Sequence, residues 1–128
     1  GDPAIDKLYR EGLDLMRGGD MPKAIEVFSA ITAKRPQFAE AWNKRATIHY
    51  MTGEYELSMR DCEEVLKRLP QHFGALVGYA QMLAERDQPD RALELMERAS
   101  KVNPYLANAD LMMEALRIQI EKNRKNLL

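Results

Sequence analysis

Three prolines, Pro36, Pro70 and Pro104, stand thirty-four residues apart in a chain that holds only six. The residue before a proline is steered away from helical geometry, so each of the three marks the end of a helix. A fixed interval of this size, kept without insertion or deletion, is the mark of stacked helical repeats. The expected unit is helix, tight turn, helix, stop.

The chain between the prolines fits that unit. Residues 4–17 carry Ile5, Leu8, Tyr9, Leu13, Leu15 and Met16 at helical spacing, after Asp2 and Pro3 as cap and first turn. Gly18-Gly19-Asp20 ends that helix, and Asp20 can cap the next, KAIEVFSAITAK, which buries Ala24, Ile25, Phe28 and Ile31. The plan repeats from Ala39 to Pro70 with a break at Thr52-Gly53, and from Phe73 to Pro104 with a break at Asp87-Gln88. Links of a few residues are too short to be free linkers, so each helix pair is expected to stack on its neighbour. Residues 107–126 then read as one long helix without a second partner. Its charged side, Glu114, Arg117, Glu121, Arg124 and Lys125, is what closing a repeat stack against solvent requires. Leu127-Leu128 reads as a frayed end or as the start of something further.

Lining the blocks up on their prolines shows what recurs. Gly12, Ala46 and Ala80 fall in one column, where the two helices of a pair must approach closely. Ala24, Ser58 and Ala92 form the matching column on the second helix. Larger groups fill most of the holes between: Leu8, Trp42 and Leu76; Leu15, His49 and Leu83; Phe28, Cys62 and Met96; Ile31, Val65 and Ala99. The alternation of small and large is a packing pattern.

Charge narrows the partners. Nineteen basic and twenty acidic side chains leave a net charge of -1, and no block of thirty-four residues is a basic stripe, so nucleic acid is not an expected partner. No run of eighteen apolar residues is present, so no direct membrane insertion is expected. The single cysteine, Cys62, excludes an internal disulfide and leaves the fold to packing. Gly1-Asp2-Pro3 has no initiating methionine and reads as a trimmed start, compatible with the periplasm if a signal segment preceded it and with the cytoplasm otherwise.

With small residues, alanines and prolines at these places, and with Ala39-Glu40-Ala41-Trp42, Gly53 and Tyr55 in the second block, the chain resembles the tetratricopeptide repeat (TPR) family. The segments AEAWNKRAT and PQHFGAL are similar to those of small bacterial TPR proteins of unassigned role. The resemblance implies an all-α fold, a right-handed α-solenoid of three helix-turn-helix repeats over residues 5–38, 39–72 and 73–106, with a capping helix at 107–126. Residues 1–128 would form a single TPR domain. It further implies a scaffold or adaptor rather than an enzyme, with no cofactor, holding a peptide or helix of a partner in a concave groove lined by the first helix of each repeat.

Helical spacing picks the groove-facing residues on those first helices: Tyr9, Leu13 and Met16, with Arg17; Asn43, Thr47, Tyr50 and Met51; Val77 and Gln81, with Ala84 and Glu85. Apart from the helix ends these are apolar or neutral, and they suit a partner of apolar or amphipathic character, because Met adapts its shape and Tyr keeps a polar tip. The bland alternative is that Met16 and Met51 fill gaps between repeats. TPR co-chaperones grip the acidic carboxyl terminus of heat-shock chaperones through cations and amides. The matching positions here hold Tyr9, Leu13, Lys44, Gly74 and Gly78, so that partner is not expected. A rival reading is a self-associating assembly unit, a dimer or filament formed through the capping helix or an open end of the solenoid. For catalysis the one candidate is a contact between His49 and Cys62, read as a packed ring beside an inert buried thiol. His72 has no second ligand at metal spacing.

Overall fold

The computed structural model describes residues 1–127, seven α-helices without a strand among them; Leu128, the last of the expected frayed pair, lies outside them. The helices are α1 (Pro3–Arg17), α2 (Met21–Lys34), α3 (Ala39–Met51), α4 (Tyr55–Arg68), α5 (Phe73–Glu85), α6 (Pro89–Val102) and α7 (Ala109–Asn126). α7 starts two residues later than its sequence period suggested, behind Asn108, which holds a left-handed φ of 64°. The chain divides into two compact units, Gly1–Pro70 with α1 to α4 and Gln71–Leu128 with α5 to α7.

The thirty-four-residue period is a backbone period. Gly19, Gly53 and Asp87 take φ of 83°, 81° and 54°, the left-handed geometry that ends a helix in a tight turn. The residue after each donates its N–H back across the turn: Asp20 to Leu15 O at 2.9 Å, Glu54 to His49 O at 2.8 Å and Gln88 to Leu83 O at 2.9 Å. At the other end of each pair, Arg35, Leu69 and Asn103 have φ near -130° (-136°, -129° and -135°), the extended geometry that a following proline demands. Each unit is thus closed at both turns by local chemistry. Asp2 and Asp20 cap α1 and α2 as expected, and His72 does the same for α5, its Nδ1 accepting from the Ala75 N–H at 3.1 Å.

The small columns are buried. A Cβ added at Gly12 would stand 2.7 Å from Cε1 and Cζ of Phe28, so glycine there is what lets α1 and α2 meet. Ala46, Ala80, Ala24 and Ala92 are buried at the same kind of contact. Ser58 keeps its place by donating its hydroxyl to the Ala46 carbonyl across the pair at 2.7 Å, which removes the cost of burying it. In the first unit Ile5, Ala24, Phe28, Ile31, Ala41 and Ile48 form one core.

α7 closes the second unit by changing chemistry in register. It packs on α6 and buries Ala109, Met113 and Leu116. Leu76, Ala80 and Leu83 are the buried positions of α5 that, in register with Gly12, belong to the contact with its own second helix. Thirty-four residues on, α7 carries Asp110, Glu114 and Arg117 there, all exposed. No further helix could pack on those charges without desolvating them.

Candidate functional site

The outer faces of the first helices differ from one helix to the next. On α1, Tyr9 leans into the core, with its ring edge-on to Phe28 at 5.9 Å and to Phe38 at 5.1 Å. Burial raises its phenol pKa, and the nearby Glu40 charge raises it further. Leu13 and Met16 are half-buried and pack against the same core. On α3, Asn43 is half-buried, Thr47 is exposed and donates its hydroxyl to the Asn43 carbonyl at 3.1 Å, and Tyr50 and Met51 are 43% and 59% exposed. Tyr50 stacks edge-on with Tyr55 across the Gly53 turn at 5.5 Å, so two aromatic rings and a thioether stand together at the surface. On α5, Val77 is half-buried and Gln81 exposed. A Cβ at Gly78 would meet nothing within 4 Å, so the bare backbone of α5 is open there.

The other side of α3 carries a polar cluster that periodicity alone did not bring out. A cleft of about 550 Å³ is lined by Ser29 of α2, by Trp42, Arg45 and His49 of α3, and by Asp61 and Glu64 of α4. Arg45 donates from Nε and Nη2 to the two carboxylate oxygens of Asp61, each at 2.8 Å, and from Nη1 to Ser29 Oγ at 3.0 Å. Asp61 is only 4% exposed, so this bidentate pair ties α4 to α3 and reaches α2 from a largely dry site. The guanidiniums of Arg45 and Arg68 lie over the Trp42 ring, 5.1 and 4.8 Å from its centroid, and the indole N–H donates to the Pro36 carbonyl at 2.8 Å. A signal for Asp61 was present in the repeat register, where it occupies a column otherwise held by Val27 and Leu95. A charge in an apolar column calls for an inward partner.

The charges of Arg45 and Asp61 are spent on each other, whereas Nδ1 of His49 is buried without a hydrogen-bond partner among the described residues. The charged neighbour of His49 is Asp61, with Nε2 at 3.8 Å from Oδ2. Burial, with the Asp61 and Glu63 charges adding to it, pushes the Cys62 thiol up to about 12, which keeps the thiolate needed for nucleophilic attack scarce. Glu64, half-buried, pairs with Lys67 at 3.2 Å and Arg68 at 3.5 Å on the same helix. No cluster of three potential ligands able to hold a metal, and no helix long and apolar enough to cross a membrane, occurs among the described residues.

With this backbone repeat, residues 9–71 match the family model described as tetratricopeptide repeat. The chain belongs to the tetratricopeptide repeat family. A TPR repeat-containing protein of Rhizobium etli is 35% identical over 103 residues, 80% of this chain and 50% of that protein, so the chain spans about half the length of this curated relative. Among solved structures, the Yersinia enterocolitica type III secretion chaperone SycD, in complex with a peptide of the translocator YopD, superposes with a TM-score of 0.82 at 13% identity. That match covers 93% of this chain and 96% of SycD. The first TPR of Spaghetti (RPAP3), bound to an HSP90 peptide, superposes with a TM-score of 0.81 at 14% identity, covering 91% of this chain and 93% of that one. At such identities the likeness is one of fold: an all-α TPR solenoid.

Proposed function

We propose that this TPR chain is a non-catalytic protein-interaction module in which the outer face of α3 holds an apolar or amphipathic segment of another protein. The observation that carries it is on α3. Its packing is met by Ala41, Ala46, Ile48 and His49, all buried, yet Tyr50 and Met51 stay exposed beside Tyr55. A rigid helix presenting Tyr and Met to solvent is suited to gripping apolar side chains of varied shape. That two structures of the same fold are described with bound peptides supports the same reading.

The test is selection from a random-peptide display library on the immobilised chain. The expected result is apolar-rich peptides whose binding is lost in Tyr50→Glu or Met51→Glu, while the helical circular dichroism and melting temperature hold. Selected peptides that bind the two variants as well as the parent would overturn the role given to this face.

A further inference from the structure

The outward side of α7 carries a pattern that closing the fold does not explain. Leu111 and Ile118 are 71% and 49% exposed, with Ala115 exposed between them. They lie across the helix from Ala109, Met113 and Leu116, which it buries. In the same spacing of four and three residues the line continues through Lys122 and Lys125, both exposed. That spacing is the seam of a two-helix coiled coil, and from residue 111 to residue 125 it runs about 21 Å along the axis.

Both arginines of α7 are compensated within the helix. Arg117 lies 4.0 Å from Glu114, and Arg124 pairs with Glu121 at 2.8 Å. Lys122 and Lys125 make no ion pair among the described residues. Solubility is served by Asp110, Glu114 and Arg117 on the neighbouring side, so the seam keeps two large apolar groups in water beside charges that would have sufficed. Lys125 lies in the last turn, where a cation favours the helix dipole; Lys122 lies before that turn, and the dipole does not account for it.

We propose that this seam is a docking strip for an acidic amphipathic helix of another protein, whose apolar side chains cover Leu111, Ala115 and Ile118 and whose carboxylates meet Lys122 and Lys125. The charge pattern selects that occupant over a second copy of this chain. A parallel copy would set each lysine against its own image. An antiparallel copy centred on Ile118 would set Leu111 against Lys125 and Ala115 against Lys122, burying charge on apolar groups in both halves; one centred near Ala115 would pair Leu111 with Ile118 over about two turns only and leave both lysines unmet. An acidic helix with a one-sided apolar face meets both halves at once. The strip stands apart from the α3 face proposed above and does not rest on it.

Two fluorescein-labelled helical peptides of two heptads test it, titrated against the full chain by anisotropy. One has leucines on the seam of one half and glutamates on the seam and flanks of the other; its twin has lysine for every glutamate. The acidic peptide is expected to bind at least about tenfold more tightly than its twin, a gap that shrinks as salt is raised. Leu111→Asp and Ile118→Asp should each abolish binding with the melting temperature unchanged. The double change Lys122→Glu with Lys125→Glu should reverse the preference, and Tyr50→Glu should leave it as it is. Equal binding of the twins, no binding of either, or an acidic-peptide affinity untouched by the lysine changes overturns the proposal. So does a concentration-dependent dimer dissolved by Leu111→Asp, which would give the strip to a second copy. Loss of the acidic peptide in Tyr50→Glu but not in Leu111→Asp would return the binding to α3, leaving the α7 proposal overturned and the α3 reading intact.

Discussion

Between α3 and α4 the inner positions hold Arg45, His49, Ser58, Asp61 and Cys62; at the same places between α5 and α6 stand Tyr79, Leu83, Ala92, Leu95 and Met96. One pair is joined by a bidentate ion pair, the other by apolar contact, with the Arg91 guanidinium 4.9 Å from the Tyr79 ring. Yet both pairs close with a left-handed residue, a backbone bond across the turn and an extended residue before proline. The hairpin geometry is therefore specified by the turns and the small columns. What fills the interior is free to change, and a polar filling has its cost: Asp61 and Ser58 find partners, while His49 Nδ1 has none among the described residues.

The largest effect should come from breaking the polar pair on one side only. Asp61→Leu leaves the Arg45 guanidinium inside without its counter-charge and should cost roughly 3 kcal/mol or more in urea unfolding. Adding Arg45→Tyr, so that the second repeat carries the third repeat's residues, should recover most of that loss. A double variant as unstable as the single one would mean that the two interiors are not interchangeable on this backbone.

Next in size is the small column, which the two pairs share. Ala46→Leu and Ala80→Leu should each cost on the order of 1–3 kcal/mol by overpacking, and about equally, since both sites are closed by the same helix approach. A marked inequality would show that one interior yields more readily. The smallest effect should come from the turns: Asp87→Gly puts at the third turn the residue found at Gly19 and Gly53, and should stabilise by roughly 0.5–1 kcal/mol through relief of the left-handed strain. The Asn123 to Asp87 hydrogen bond it removes is long, 3.4 Å, and between exposed side chains, so little is lost with it.

What was legible in the sequence is what recurs from repeat to repeat. The turn residues, the caps at Asp2 and Asp20 and the clash that makes Gly12 necessary are all set by neighbours on one hairpin, so spacing finds them. The Arg45 to Asp61 pair lies on one hairpin at the same separation of sixteen residues as Gly12 and Phe28, but it occurs in one repeat and not in the others, so only comparison down the column of Val27, Asp61 and Leu95 hints at it. On the candidate site, period places Tyr9 on the outer face of α1, but its ring turns back onto Phe28 and Phe38, a side-chain choice that spacing does not encode. For α7, the charged side was readable as a closing surface. The apolar line beside it emerges only once burial shows which residues the helix has spent on α6.

The position of Trp42 has an optical consequence. It is the chain's one tryptophan, and it sits in the first compact unit, with the Arg45 and Arg68 guanidiniums over its ring and its N–H bonded to the Pro36 carbonyl. Its emission therefore reports on the environment of residues 1–70, whereas far-ultraviolet dichroism sums over all seven helices. Recorded on one sample, the two signals separate loss of the first unit from loss of the whole, with no label attached.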